Sequence, residues 1–161
     1  MLLSGCGYHS VYAQPESERL SVQIGQVLVP EPAAAQAAAS GARTELAASG
    51  LLAAGAEGPR LVLDVLRVDE GSRGIHVLGG QPVAAGMSVA VTVRGRVFKG
   101  DATEPTLDTG DLRRAVQLTG DVDPRVDGAA YDQALRGAAE RAGRAAARVA
   151  LGIPEPADET P

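Results

Sequence analysis

The stretch MSVAVTVRGRVFK, residues 87–99, decides how the rest of the chain is read. Val89, Val91, Val93 and Val97 fall on one side of a period of two, and Ala90, Thr92, Arg94, Arg96 and Phe98 on the other. Side chains alternate across a β-strand, so this pattern predicts a strand over Met87–Lys99 with its valine side on a core. Downstream, after the polar turn GDATEPTLDTGD (100–111), LRRAVQLTG (112–120) reads as a fourth strand and hairpin partner. Upstream, RLVLDVLRV (Arg60–Val68) hardly alternates, as expected of a strand at least partly covered on both faces. Asp64 within it is expected at the sheet edge or facing water. Between these two strands DEGSRGIHVLGGQP (69–82) reads as a glycine-rich connection.

The first strand is LSVQIGQVLV, Leu20–Val29, stopped by Pro30 and Pro32, which lack the N–H a strand donates. An alanine-rich stretch then predicts a helix over Ala33–Ala54. Gly41 and Gly50 weaken it, Gly55 or Gly58 ends it, and Ala39, Ala42, Leu46 and Ala53 give a thin apolar stripe. A closing helix is predicted over Asp127–Leu151, with Asp127 as N-cap and Tyr131, Leu135, Ala138, Ala142, Ala145 and Val149 at helical spacing. Arg136, Arg141, Arg144 and Arg148 lie off that stripe and are expected on a solvated face. The order strand, helix, strand, strand, strand, helix predicts an α+β domain: two helices on one face of a four-stranded mixed sheet.

At 161 residues the chain suits one domain that buries roughly two-thirds of its unfolded surface. With one Phe and no Trp, the core must be built from Val, Leu and Ala. Twenty acidic against 15 basic residues, a net charge of -5, argue against a general nucleic-acid binder. No apolar run approaches the length of a membrane-spanning helix.

The sequence offers little catalytic chemistry. His9 and His76 stand apart from any metal-ligand spacing, and Cys6, the only cysteine, can form neither an internal disulfide nor a zinc site alone. Phosphate-loop, dinucleotide-binding and nucleophile-elbow motifs are missing. The reading is therefore no enzyme, no metal and no cofactor. The candidate binding residues are basic. Arg94 and Arg96 share a strand face, Lys99 follows, and Arg113 or Arg114 from the neighbouring strand joins them. Guanidinium forks so placed suit phosphate or carboxylate. The alternative is a set of edge charges that block strand-to-strand aggregation.

Leu3-Ser4-Gly5-Cys6 resembles the lipobox of bacterial lipoproteins. In that class a peptidase cuts before the cysteine, which carries diacylglycerol on its sulfur and usually an acyl chain on the new amino terminus. Only Met1–Gly5 precede Cys6, too few for a basic, apolar leader, so the true start is expected upstream. Beyond the lipobox, Cys6-Gly7-Tyr8-His9, a strand ending in Val29-Pro30, an Ala/Leu helix, three further strands and a closing helix resemble the LptE family of lipopolysaccharide-assembly lipoproteins. The resemblance covers about Cys6 to Leu151. It implies a signal-peptide remnant (1–5), an anchor segment (6–17) and one domain (18–152), and composition alone predicts that the acidic, proline-rich tail (153–161) is disordered.

The resemblance implies a non-catalytic protein anchored through Cys6 on the periplasmic face of the outer membrane. Its implied partners are an LptD-like β-barrel and lipopolysaccharide. The residues nominated for lipopolysaccharide, Arg94, Arg96, Lys99, Arg113 and Arg114, rest on the strand-face reading alone. Two other readings stay open: an adaptor lipoprotein of another envelope lipid-transport system, and a soluble α+β binding domain whose L-S-G-C is accidental.

Overall fold

The computed structural model describes residues 18–72, 75–78, 81–84, 87–118 and 124–154. Cys6, His9 and the tail from residue 155 lie outside them, as does the side chain of His76. The elements run β1 (Ser21–Val27), α1 (Pro32–Ala48), β2 (Arg60–Ser72), β3 (Ile75–Leu78), β4 (Gln81–Ala84), β5 (Met87–Phe98), β6 (Leu107–Leu118) and α2 (Pro124–Ala150). Four strands form one sheet in the order β1-β2-β5-β6. β1 and β2 are parallel and the other neighbours antiparallel, so the sheet is mixed. Parallel neighbours need a crossover, and α1 supplies it.

Both helices pack on the face that carries Leu61, Leu63, Val65, Val89, Val91 and Val93, all essentially without exposure. The predicted α+β architecture is the one observed. The valine side of residues 87–99 is the core side, as the alternation requires. The two helices meet through small residues. Ala34, Ala38 and Ala42 of α1 and Ala138, Ala139, Ala142 and Ala146 of α2 are fully buried. At the crossing a Cβ on Gly41 would run into the Glu140 carbonyl, and one on Gly143 into the Ala38 carbonyl. Backbone therefore packs on backbone there, which only glycine permits.

Several boundaries differ from the sequence reading. α1 ends at Ala48 rather than Ala54, because Gly50, at φ +71, takes the left-handed conformation of a helix stop. Its N–H reaches the Ala47 carbonyl, and the Leu51 N–H reaches Leu46, the paired bonds of a Schellman motif. Gly50 is thus the terminator and not a weak point inside the helix. Asp127 is no N-cap; α2 begins at Pro124, whose fixed φ suits the first helical position. β2 runs on to Ser72, and the connection read as glycine-rich contains an antiparallel pair, β3 with β4. β6 starts at Leu107, inside the stretch read as a turn, and carries a bulge where Gly110 sits at φ +69. Arg148 is half-buried and bridges the helices, its Nη1 lying 3.3 Å from Glu45 Oε1. Arg136, Arg141 and Arg144 are exposed, as expected.

Candidate functional site

The sheet face opposite the helices collects the charged side chains. Residues facing one another across a ladder point the same way, so register decides which candidates meet. Thr92 of β5 faces Arg113 of β6, which puts Arg113 on the face of Arg94 and Arg96. Arg114 faces Val91 and so lies on the helix side. Lys99 follows the end of β5, and its Nζ lies 3.4 Å from Glu18. Three of the five nominated cations, Arg94, Arg96 and Arg113, are thus brought onto one face.

Each of these three meets a carboxylate. Arg94 holds Asp108 as a two-pronged fork, with Nε donating to Oδ1 at 2.8 Å and Nη2 to Oδ2 at 2.8 Å. Asp111, its direct cross-strand neighbour, stays at 3.7 Å. Asp108 in turn accepts from the Gly110 N–H at 2.9 Å across the bulge. The Arg94 hydrogen bond, and after it the Gly110 N–H, hold the Asp108 carboxyl below the usual carboxylate range. The same bond keeps the Arg94 proton more firmly than usual. A lowered carboxylate pKa means that this contribution is present at neutral pH and is lost as pH falls through that pKa.

Arg113 reaches Asp69 at 3.6 Å, and Asp69 also takes Arg67 at 3.0 Å. Asp69 is on β2 and Arg113 on β6, so their ion pair must pass over β5. That accounts for the burial of Ala90 and Thr92 on the polar face, at 1% and 5% exposure. Small side chains there leave room for the charges above.

Asp64 differs most from expectation. It is 4% exposed and neither at the edge nor facing water. β1 departs from regular pairing between Ile24 and Val27, and the Gln26 N–H donates to Asp64 Oδ1 at 2.8 Å. Arg96 donates to Oδ2 at 2.6 Å. Gly25 lies where any Cβ would strike this carboxylate. The Arg96 guanidinium also stands 5.9 Å from the Phe98 ring centroid, and Arg60 stands 5.0 Å from it. Phe98 is therefore flanked by two cations. The sequence reading found the cations and missed the carboxylates that answer them. Asp108 and Asp111 sat in a presumed turn, and Asp64 is explained only by a bulge on another strand.

Among the described residues, concavities lie elsewhere. A groove of about 850 Å³ runs between β6 and α2, floored by Val116, Leu118, Ala134 and Gly137. A cleft of about 430 Å³ beside the β1–α1 turn is lined by Leu28, Pro30, Glu31, Val68, Glu70 and Tyr131. In it, burial and then a hydrogen bond with Glu70 push the Tyr131 phenol up to about 12. Among the described residues no three His, Cys, Asp or Glu gather as metal ligands, and no helix is long and apolar enough to cross a membrane.

Solved structures similar to this fold include bacterial lipoproteins. A candidate lipoprotein from Caulobacter crescentus superposes with a TM-score of 0.50 at 20% identity, covering 82% of this chain and 93% of that one. A minor lipoprotein from Acinetobacter baumannii (TM-score 0.48, 14% identity, 84% and 94% covered) and the rare lipoprotein B from Shewanella oneidensis (0.48, 12%, 83% and 98%) are also similar. At these identities the likeness is one of fold. No protein-family model and no curated protein matches the chain.

Proposed function

We propose that this chain is a non-catalytic lipoprotein of the bacterial outer membrane, anchored at the periplasmic face through Cys6. In this reading it partners an LptD-like β-barrel in assembling lipopolysaccharide. The observation that carries the reading is one juxtaposition: a lipobox-like Leu3-Ser4-Gly5-Cys6 stands directly ahead of a fold shared with a candidate lipoprotein. Acyl chains on Cys6 would stabilise the membrane-bound state by about 0.8 kcal/mol per buried methylene, so diacylglycerol plus an N-acyl chain anchors firmly. Arg94, Arg96 and Arg113 lie on one sheet face, and guanidinium groups are the side chains suited to pair with the phosphate groups of lipopolysaccharide. Lys99, at the end of β5, is a secondary candidate, whereas Arg114 lies on the helix side of the sheet and away from that face.

The test is metabolic labelling with an alkyne analogue of palmitate, using the gene with its upstream region. Label is expected in the wild-type protein and none in Cys6→Ser. An unlabelled wild type, or label that survives Cys6→Ser, would overturn the anchored reading.

A further inference from the structure

Of the five nominated cations, Arg94 is the one that a solvent-exposed carboxylate grips in a two-pronged geometry. Asp108 meets Nε and Nη2 with both oxygens, as two oxygens of a phosphate would. Arg96 differs, because its carboxylate, Asp64, is buried and tied to the β1 backbone as well. Arg94 and Asp108 are 44% and 34% exposed, so water screens their attraction and little is lost when the pair opens. Asp108 belongs to the bulged start of β6, where Gly110 interrupts the regular ladder with β5. Arg113, which faces Thr92 two residues from Arg94, lies on the same face and itself reaches Asp69 at 3.6 Å.

We propose that Asp108 is an internal competitor for a phosphate site centred on Arg94: its carboxylate occupies the fork, and an arriving phosphate monoester must displace it. The inference rests on the reading of this face as the lipopolysaccharide-facing one, and it adds the residue that sets the affinity. Displacement makes and breaks only hydrogen bonds and ion pairs. Asp108 swings to water while keeping its place in the chain, and Asp111 remains as the more distant counter-charge of Arg94.

The experiment measures binding of purified lipopolysaccharide, and separately of inorganic phosphate, to the folded protein and three variants. Asp108→Asn keeps the shape and removes the competing charge. It should tighten lipopolysaccharide binding by about fivefold, the upper end for an exposed ion pair. The gain should vanish in Asp108→Asn combined with Arg94→Ala. Asp101→Asn, an exposed carboxylate in the β5–β6 turn, should change nothing. Inorganic phosphate should follow the same ranking if the phosphate group alone is read; a gain confined to lipopolysaccharide assigns the site to the glycolipid head group. Wild-type binding that Asp108→Asn leaves equal or weakens overturns the competitor while sparing the lipopolysaccharide reading. No binding by wild type or any variant overturns both. Should Asp108→Asn fold poorly, phosphate titration of the wild type followed at the Arg94 Nε–H resonance serves instead. A saturable shift there supports the competitor, and a static resonance rejects it.

Discussion

At Asp64 a carboxylate has been withdrawn from water and answered on both oxygens, by the Gln26 N–H and by the Arg96 guanidinium. Three strands, β1, β2 and β5, are joined at that one side chain. Removing it leaves a backbone donor at a bulge and a half-buried cation without their acceptor. Asp64→Ala should therefore lower the unfolding free energy by about 3 kcal/mol, measured by urea denaturation. Adding Arg96→Ala should cost much less than its effect alone in the wild type, because its partner is already gone. Strict additivity of the two would show that the pair is not coupled. This residue also marks the limit of the sequence reading at the site. Alternation in β5 placed Arg94 and Arg96 on one face, since that needs only the period of a strand. Which carboxylates meet them depends on register and on bulges in two other strands, and neither is visible within residues 87–99.

Among the elements, the helix pair depends on glycine for a reason that differs between positions. Gly143 packs against the Ala38 carbonyl, with no room for a methyl group, whereas Gly128 near the start of α2 has open space around it. The same substitution should then act with opposite signs. Gly128→Ala should raise stability by about 1 kcal/mol through helix propensity. Gly143→Ala should lower it by about 2 kcal/mol, because the helices must part. Thermal melts of the two variants decide this, and a Gly143→Ala protein as stable as wild type would contradict the close crossing. Element identity was legible wherever a long periodic run existed, as in β5 and α2. It failed where signals were short or ambiguous. The four-residue strands β3 and β4 were hidden among glycines, although Gly79-Gly80 between Ile75–Leu78 and Gln81–Ala84 is itself a hairpin cue. Gly50 could be read from sequence either as a flaw in a long helix or as its end, and only backbone geometry separates the two.

For the whole molecule, one sheet face is sealed by two alanine-rich helices and the other carries ion pairs laid over small residues. A net charge of -5 disfavours general attraction to anions, so any affinity for phosphate must come from local fork geometry. Under the proposed function the molecule is a small scaffold held at a membrane through Cys6 that meets its partner through its surface. The most direct test is a pull-down from detergent-solubilised envelope, using the gene with its upstream region and a C-terminal tag. The account predicts that a large outer-membrane β-barrel is recovered in roughly equal amount with the tagged protein. Recovery of an inner-membrane transporter in its place, or of no partner at all, would contradict it.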